Sequence, residues 1–386
     1  MSLQDFLAEK PLYYDKIDYD RFPRIWQRLE AHFDLPRIIH VIGTNGKGST
    51  GRFLAHYLHK SGVSVGHYTS PHILRFNERI WIDGADVSDE LLEAHHARLQ
   101  QLLTPEESGA LSYFEYTTLL AISVLQQCDY IVLEAGLGGE HDATAVFDKD
   151  LTLVTPIGID HQDFLGDSIT QIAGTKLAAI RKFAILGKQE KAVYSVVKDL
   201  AARRKIEFFR YTFFFTKEEM AKARRTIRNI GLPPFFVDNL LLGLSGAKFF
   251  GFDIKWKAME DVRLFGRAQR LAPNIMIDVG HNPLAASALA KSLRTRHPVL
   301  VYNAYADKDY RQILEIFKPI VKRVEILPIY NQRAENEEKL ARTLDALEIP
   351  HRRFERIDPK DFYLVFGSFS VVEEFLKYYD GSQKPH

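Results

Sequence analysis

The chain has 386 residues, of which 46% are hydrophobic and 26% charged, and its formal net charge is +1. This composition is typical of a globular protein with about two or three domains, and the balanced charge gives no electrostatic basis for binding nucleic acid or an acidic membrane surface. The single cysteine, Cys128, excludes a disulfide within the chain and favours a reducing compartment. No apolar run approaches the length of a membrane span and the start lacks a signal-peptide pattern, so we expect a cytoplasmic protein without a membrane segment.

A glycine-rich loop follows the first predicted strand. The apolar run RIIHVI, residues 37–42, predicts a buried parallel strand, and STGRFLAHYLHK places apolar residues at helical spacing before Gly62. The loop between them departs from the usual phosphate loop G-x-x-x-x-G-K-[ST], because Gly48 follows Lys47 and Val41 stands where the first glycine belongs. The alternatives are a variant nucleotide site and a glycine-rich turn with an unrelated lysine. The order strand, loop, helix favours the nucleotide site, because a helix N-terminus attracts a polyphosphate.

Apolar runs recur along the rest of the chain, with amphipathic helical patterns between most of them. They predict strands within residues 130–137, 151–159, 274–281, 298–305, 323–330 and 362–369. This alternation predicts parallel α/β sheets covered by helices on both faces. A stretch with Gly and Pro, residues 259–274, marks the predicted domain boundary, which gives a larger domain of residues 1–265 and a smaller α/β domain of residues 266–386.

The segment 188–228 is rich in Lys, Arg, Phe and Tyr. This composition occurs on surfaces that bind nucleic acid, and also where charged helix faces flank an aromatic strand. The balanced charge of the whole chain favours the second interpretation, and we expect no nucleic-acid partner.

Polar side chains stand at the predicted carboxyl ends of strands, where ligands bind in α/β sheets. Glu134 ends an apolar strand, Asp160 and His161 follow the next one, and Ser70 lies upstream. A carboxylate in such a position must be paired, hydrogen-bonded or bound to a metal. A hydroxyl, a carboxylate and an imidazole around a phosphate loop form a candidate Mg²⁺ site, whereas the alternative for Glu134 is a helix-cap partner or a buried ion pair.

Two further motifs each allow two interpretations. In DVGHNP, residues 278–283, Asp278, His281 and Asn282 are candidates for nucleotide contacts, but Asn282 before a proline is also the pattern of a helix N-cap. The ADKD motif, residues 306–309, either directs charged side chains to an active site or begins a surface helix.

Ten motifs occur in the order seen in folylpolyglutamate synthases and dihydrofolate synthases, the folate branch of the Mur-type ATP-dependent amide ligases. They are HVIGTNGKGST, TSPHILRFNERIWIDG, FEYTTLLA, LEAGLGG, DAT, IDHQDFLG, GRAQ, DVGHNP, DKD and FGSF. The chain therefore resembles this family over nearly its whole length, and its unusual glycine loop matches the family pattern. The resemblance implies a P-loop ATPase domain with a central parallel sheet, a smaller Rossmann-like C-terminal domain, and an active site in the cleft between them.

The resemblance also implies roles for residues that match the family motifs. The triphosphate loop would consist of Gly43, Thr44, Asn45, Gly46, Lys47, Gly48 and Ser49. Asn239 would be a nucleotide contact, and the magnesium ligands would be Ser70, Glu134 and His161. Arg267 would reach the γ-phosphate, while Asp278 and His281 would supply nucleotide and catalytic contacts. The pterin-side loop would bind substrate through Pro71, His72, Phe76, Asn77 and Arg79.

Lys176 matches the lysine that is carbamylated in this superfamily. Carbamylation makes the side chain an anion that can share a magnesium site, but CO₂ reacts only with the neutral amine. An ordinary lysine pKa of about 10.4 means that the neutral form costs roughly 4 to 5 kcal/mol at pH 7. The alternative is an ordinary lysine that pairs with phosphate. The implied cofactors are ATP and Mg²⁺, with a carbamylated Lys176 and K⁺ as further candidates.

The implied activity is the ATP-dependent addition of L-glutamate to dihydropteroate, to folates, or to both, through an acyl phosphate. The partners are then small molecules, and the family implies a monomer. One alternative is a Mur-type ligase for a different carboxylate, against which the pterin-side loop argues. Another is a nucleotide-binding protein that has lost ligation. The sequence argues against this alternative, because a protein that had lost ligation would not need all of Lys47, Ser70, Glu134, His161 and Arg267.

Several positions depart from the family pattern. Lys176 has Thr175 and Leu177 as neighbours instead of Glu and Ala. The other departures are Glu140 for Arg, Ala145 for Asn, Phe235 and Phe236 for a His-Gln pair, and Ser370 for His. None of these residues is an implied phosphate or metal ligand, so we expect the activity to be kept and contacts to nucleotide and pterin to be altered.

Overall fold

The chain forms two compact units in a computed structural model, which describes residues 1–11, 18–160, 162–331 and 333–383. The first unit consists of Met1–Thr226 and Val237–Val262, and the second of Ile227–Phe236 and Arg263–His386. The domain boundary after residue 265 stays a prediction. Within the described residues, every helix is too short or too polar to cross a membrane.

An eight-stranded sheet forms the centre of the first unit. Its strands are β1 Arg37–Ile42, β2 Val65–Tyr68, β3 Ile80–Ile82, β4 Ala85–Asp86, β5 Tyr130–Glu134, β6 Leu151–Val154, β7 Phe183–Leu186 and β8 Glu207–Arg210. They lie in the order β4-β3-β2-β5-β1-β6-β7-β8. The pairs β2/β3 and β3/β4 are antiparallel, and the other neighbours are parallel. Strands β1, β5 and β6 are buried almost throughout, as expected of a sheet covered on both faces.

Helices connect these strands. The helices up to residue 249 are α1 Leu3–Ala8, α2 Arg21–Leu29, α3 Lys47–Lys60, α4 Asp89–Leu102, α5 Pro105–Ala110, α6 Tyr113–Leu125, α7 Gln162–Leu165, α8 Ile169–Leu177, α9 Lys191–Arg204, α10 Lys217–Asn229 and α11 Phe236–Phe249. Short 3-10 helices are Glu30–His32, Phe76–Arg79, Ala143–Val146, Tyr211–Phe214 and Trp256–Met259. Several α-helices begin where a hydroxyl accepts a backbone N–H, as Ser112 does for α6 and Ser168 for α8, because the first N–H groups lack a partner within the helix.

The register of the parallel strands determines where the loops emerge. Glu134 at the end of β5 lies opposite Val41 of β1, and Val154 at the end of β6 lies opposite Ile42. On the other side of β5, Leu133 lies opposite Tyr68, which ends β2. The loops after these four strands therefore leave the sheet at the same edge.

The second unit contains a six-stranded sheet. Its strands are β9 Gln269–Ala272, β10 Ile275–Asp278, β11 Val299–Tyr302, β12 Arg323–Ile326, β13 His351–Arg353 and β14 Tyr363–Phe366, in the order β13-β12-β11-β14-β10-β9. Within the described residues of this second sheet, the pair β9/β10 is antiparallel and the other neighbouring strands are parallel. The helices are α12 Pro283–Leu293, α13 Tyr310–Phe317, α14 Glu337–Ala346 and α15 Phe369–Gln383. This alternation of strand and helix confirms the predicted α/β class.

Each apolar run named above contains a strand, but most of the strands are shorter than the run. The run at residues 151–159, for example, is a strand only to Val154, because Pro156 has no N–H with which to continue the ladder. Segment 188–228 contains β8 flanked by α9 and α10, which confirms the interpretation as an aromatic strand with charged helices.

Phe366 provides a test of the hydrophobic core of the second unit. Its side chain is fully buried at the end of β14 and meets the ring of Phe317 edge-on, with centroids 5.1 Å apart. Phe366→Ala leaves a cavity and is expected to lower the free energy of unfolding by about 3 to 5 kcal/mol. Leu284→Ala, at a side chain that is 44% exposed, is expected to change it by less than about 0.5 kcal/mol. Denaturant unfolding of both variants measures the difference, and equal effects would contradict this account of the core.

Candidate active site

The glycine loop lies between β1 and α3, in the order that the sequence predicted. The N–H groups of Thr44 and Asn45 donate to the carbonyl oxygen of Pro156 at 3.0 and 3.3 Å, which holds the loop against the segment after β6. The Lys47 amine turns back over the loop and donates to the carbonyl oxygens of Gly43 and Thr44, at 3.3 Å each. The N–H groups of a first helical turn lack intrahelical acceptors, so the start of α3 and the lysine together form a candidate anion site.

Two glycines of the loop are required by geometry. Gly43 has φ +136°, and a Cβ there would overlap Thr155. Gly46 has φ +86°, and a Cβ there would lie 2.9 Å from the side-chain amide of Asn239. The predicted nucleotide contact Asn239 therefore packs directly on the predicted phosphate loop. Both backbone conformations are ones that only glycine adopts without strain.

Glu134 and Ser70 leave the sheet from neighbouring strands. Glu134 is 4% exposed at the end of β5, and the Thr69 hydroxyl donates to its Oε2. Ser70 comes directly after Thr69 in the sequence. It is half-buried and has a cis peptide bond to Pro71. The structure thus brings two of the three predicted magnesium ligands to the same sheet edge as the phosphate loop. A carboxylate and a serine supply oxygen ligands, which suit Mg²⁺.

His161, the third predicted ligand, lies outside the described residues. In the part of the chain that the structure describes, no group of three or more His, Cys, Asp and Glu side chains could hold a metal ion. The predicted magnesium ligands do not form a group of that kind, because Ser70 is a serine and His161 lies outside the described residues. The described part of the donor set still fits the ion, because the Glu134 carboxylate and the Ser70 hydroxyl are oxygen donors.

Lys176 is buried on α8, with 4% of its surface exposed. Burial, together with the nearby positive charge of Lys47, lowers the pKa of Lys176 to about 7, while Asp160 and Asp142 act in the opposite direction. Its backbone lies against the turn that follows Glu134, since a Cβ on Gly139 would overlap the Lys176 carbonyl oxygen. Lys176 is therefore part of the same region as the phosphate loop.

The five predicted substrate residues lie in one loop between β2 and β3. Arg79 Nε donates to His72 Nδ1 at 2.8 Å, and the Arg79 guanidinium lies over the ring of Phe76 at 5.8 Å. Burial and the Arg79 charge lower the pKa of His72 to about 4, so the imidazole is neutral at pH 7. Asn77 is buried and donates to the Val87 carbonyl oxygen at 2.8 Å, which ties the loop to the segment that follows β4.

The predicted residues of the second unit surround the end of β10. Asp278 is 6% exposed and accepts the N–H groups of Ala268 at 2.8 Å and Gly280 at 2.7 Å. Burial raises the pKa of its carboxyl, against the positive charge of Arg267. The Arg267 guanidinium lies over the Phe369 ring at 5.2 Å. His281 Nδ1 is 3.1 Å from the carbonyl oxygen of Val279.

The two motifs with open interpretations behave as helix starts. Asn282 is the N-cap of α12, and its Oδ1 accepts the N–H of Ala285 at 3.0 Å. Asp309 of the ADKD motif caps α13 by accepting the N–H of Gln312 at 3.0 Å. Asp307 in the same motif is ion-paired with Arg333 at 2.8 Å.

The positions that depart from the family pattern have local partners. Glu140 lies 3.6 Å from Arg204 of α9, and the Ala145 carbonyl oxygen accepts the buried amine of Lys149 at 2.7 Å. The rings of Phe235 and Phe236 stack, with centroids 4.5 Å apart. The Ser370 Oγ is within hydrogen-bonding distance of the Tyr305 hydroxyl at 2.8 Å.

Sequence reasoning missed residues that support the site from behind. Thr69, which binds the Glu134 carboxylate, is the residue just before the predicted ligand Ser70. Asp142 and Thr144, in the DAT motif, form hydrogen bonds behind the turn after Glu134, but no role followed from their type or spacing. The only feature of the sequence that could have indicated a role for Thr69 is its position next to the predicted ligand Ser70.

A strand, a glycine loop and a helix, beside a buried carboxylate on the adjacent strand, define a nucleotide-binding protein of the P-loop kind. The chain is 30% identical over 409 aligned positions to the dihydrofolate synthase/folylpolyglutamate synthase of Haemophilus influenzae, and the alignment covers 92% of each protein. The chain belongs to the dihydrofolate synthase/folylpolyglutamate synthase family and is an ATP-dependent ligase, which confirms the sequence-based prediction. No protein-family profile matches it.

Solved structures agree with this assignment. The Helicobacter pylori folylpolyglutamate synthetase is 37% identical, with a TM-score of 0.78 and 98% of both chains covered. The Escherichia coli FolC in complex with DHPP and ADP has a TM-score of 0.84 at 28% identity, covering 100% of this chain and 99% of that one. A bifunctional enzyme of Yersinia pestis complexed with AMPPNP and Mn ion has a TM-score of 0.81 at 26% identity, covering 98% and 97%.

Gly46 and Gly62 form a matched pair for testing the loop, because both lie at ends of α3 with nearly the same φ, +86° and +87°. A Cβ at Gly46 would crowd Asn239, whereas a Cβ at Gly62 would meet no atom within 4 Å. Gly46→Ala is therefore expected to weaken ADP binding at least about ten-fold, while Gly62→Ala costs about 1 kcal/mol of stability and leaves affinity within about two-fold. Calorimetric titration with ADP measures both. Equal affinities in the two variants would show that the loop does not hold the nucleotide.

Proposed function

We propose that this chain joins L-glutamate to dihydropteroate, to folates, or to both, with ATP as the energy source and ADP and phosphate as products. The observation that carries the proposal is the convergence of the glycine loop, Glu134 and Lys176 at one sheet edge, in a chain of this family. The acceptors are those that the names of the relatives indicate.

The reaction needs two steps, because a carboxylate does not accept an amine directly. In the first, a carboxylate oxygen of the acceptor attacks the γ-phosphorus of ATP, the bond to ADP breaks, and an acyl phosphate forms. In the second, the glutamate amino nitrogen attacks the acyl carbon, the bond to phosphate breaks, and the amino group loses a proton as the amide forms. Such catalysis depends on positioning and on neutralising the charge of the transferring phosphoryl group.

The chain supplies those functions through the residues that match the family. We assign Gly43, Thr44, Asn45, Gly46, Gly48, Ser49 and Asn239 to nucleotide binding. Lys47 and Arg267 neutralise the phosphoryl charge, while Asp278 and His281 serve as nucleotide and catalytic contacts. Ser70, Glu134 and His161 would hold Mg²⁺, which when bound offsets the negative charge of the nucleotide phosphates. The half-buried position of Lys47 over the loop supports its role.

The pterin side of the acceptor is assigned to the loop with Pro71, His72, Phe76, Asn77 and Arg79. Its neutral imidazole, aromatic ring and guanidinium offer a hydrogen-bonding edge and a flat face to a planar heterocycle. The hydrogen bond of Asn77 to Val87 suits a role in shaping the loop.

A carbamate on Lys176 is part of the proposal. A pKa of about 7 means that close to half of the amine is neutral at pH 7, so burial removes most of the cost that an ordinary lysine would carry. The carbamate carbon would come from CO₂, with the C–N bond forming as the amine loses a proton.

K⁺ as a further ion stays a prediction. A monomeric state and a cytoplasmic location complete the proposal, the latter supported by the free, buried thiol of Cys128.

The acceptor is tested by ADP release. With ATP, Mg²⁺ and glutamate present, we expect release to depend on dihydropteroate or tetrahydrofolate, and to stay at background with a muropeptide precursor. Lys47→Ala is expected to reduce the rate at least about 100-fold, because the phosphoryl charge is then less neutralised. Lys198→Ala, at an exposed position on α9, serves as the control and should leave the rate unchanged. Background release with both pterin acceptors would refute the proposed function.

The carbamate is tested with ¹³C-bicarbonate and NMR. The signal should be present at pH 8 and lost by about pH 6, because lowering the pH through a pKa of about 7 protonates the Lys176 amine. Lys176→Met should remove the signal. Lys149→Met is the matched control, because Lys149 is also buried with a pKa of about 7, but its amine donates to two carbonyl oxygens. A signal that persists in Lys176→Met would place the carbamate elsewhere.

A further inference from the structure

A chain of buried polar side chains lies behind the candidate site. His40 Nε2 is 2.8 Å from the Thr144 hydroxyl, and that hydroxyl is 2.5 Å from Asp142 Oδ1. His40 and Thr144 are completely buried, and Asp142 is 6% exposed. These residues are too deeply buried to serve as a substrate-binding surface, so any effect they have on catalysis acts through other residues.

The direction of the hydrogen bonds follows from the surroundings of Asp142. Its carboxylate accepts the N–H of Thr144 at 2.9 Å and the N–H of Leu137 at 2.8 Å. Burial raises the pKa of the Asp142 carboxyl, but these bonds favour the ionised form. The Thr144 hydroxyl therefore donates to Asp142, and its oxygen accepts a hydrogen bond from the Nε2–H of His40. Burial also lowers the pKa of His40, which keeps the imidazole neutral.

The hydrogen bonds of His40, Thr144 and Asp142 join two segments that carry site residues. His40 is in β1, the strand that leads into the phosphate loop at Gly43. Asp142 holds the N–H of Leu137, in the turn at residues 136–139 that follows Glu134. The far end of this turn, Gly139, lies against the backbone of Thr175 and Lys176 so closely that a Cβ would overlap it. A displacement of the turn would therefore move Lys176 as well.

We propose that His40, Thr144 and Asp142 are positioning residues: their hydrogen bonds fix the turn at residues 136–139 to β1 and thereby hold Lys176 at its place beside the phosphate loop. The inference rests on the proposed function, since it assigns Lys176 to the reaction. Outer residues that hold a ligand through hydrogen bonds typically change activity 10- to 100-fold when removed. Packing alone would not require this arrangement, because an apolar side chain of the same shape fills the space equally well.

The test compares two changes from Thr to Val that are nearly identical in shape. Thr144→Val removes the central hydroxyl. Thr152→Val is the control, because Thr152 lies opposite His40 on β6, is 1% exposed, and its hydroxyl has no hydrogen-bond partner within the described part of the chain. We expect Thr144→Val to lower kcat at least about ten-fold with the KM for ATP within about two-fold, because the phosphate loop itself is intact. Thr152→Val should match the wild type, and Thr144→Ser should restore most of kcat.

Amide hydrogen exchange gives a readout that does not depend on activity. In Thr144→Val, exchange should increase at least about ten-fold in peptides covering residues 136–142 and 169–177, and in Thr152→Val it should not. A wild type without acceptor-dependent ADP release would refute the proposed function, and the exchange data would still decide the inference. Unchanged exchange and kcat in Thr144→Val would overturn it, as would equal losses in Thr152→Val.

Discussion

The parallel register of β2, β5, β1 and β6 is the constraint on which the candidate site depends. Ser70, Glu134 and the phosphate loop are far apart in sequence. Glu134 is the last residue of β5, while Ser70 and the phosphate loop come shortly after the ends of β2 and β1. Because the four strands end at one edge, their following residues meet there. Gly43 shows how close the neighbours are, since a side chain there would overlap Thr155 from the next loop. A shift of one residue between β1 and β6 would remove this fit.

Buried charge is the second feature of the site, and it shows why titration alone does not identify a reactive lysine. Lys149 and Lys176 are both buried, and burial lowers both pKa values to about 7. Lys149 donates to the carbonyl oxygens of Ala145 and Phe147 at 2.7 and 2.6 Å, which fixes it as a structural group. Each lysine also has one positive neighbour, Arg181 for Lys149 and Lys47 for Lys176, but the neighbour of Lys176 belongs to the candidate phosphate loop. The difference lies in the surroundings and not in the pKa.

Much of the site could be predicted because its residues follow strands whose apolar patterns are strong. The strand at Arg37–Ile42, the glycine loop and the helix to Lys60 follow from periodicity and glycine spacing. Six strands were not predicted: β2, β3, β4, β7, β9 and β13. All are short, and β3 and β4, with three and two residues, are too short to show a period. Apolar runs overestimated strand length, because residues such as Pro156 are apolar yet end a ladder.

Residues with a supporting role could not be predicted in the same way. The importance of Thr69 depends on the nearby Glu134, and that of Thr144 depends on His40, which is more than a hundred positions away. Such pairs exist only once the sheet has formed, so neither residue type nor spacing indicates them. The DAT motif marked the right segment, but its physical reason appears only in the contacts of Asp142 with Leu137 and Thr144.

Two other local contacts are compatible with the departures from the family pattern at Glu140 and Ala145. Ala145 is held by its carbonyl oxygen, which accepts the Lys149 amine, so this contact does not depend on the side chain. Glu140 reverses the charge of the family's arginine, but its carboxylate lies 3.6 Å from Arg204 of α9, and both side chains are more than 40% exposed. An ion pair so exposed contributes at most about 1 kcal/mol. It nevertheless gives the new negative charge a partner within the same unit. The reversal can therefore be accommodated while the backbone of the turn at residues 136–139, which carries Gly139 against Lys176, stays in place.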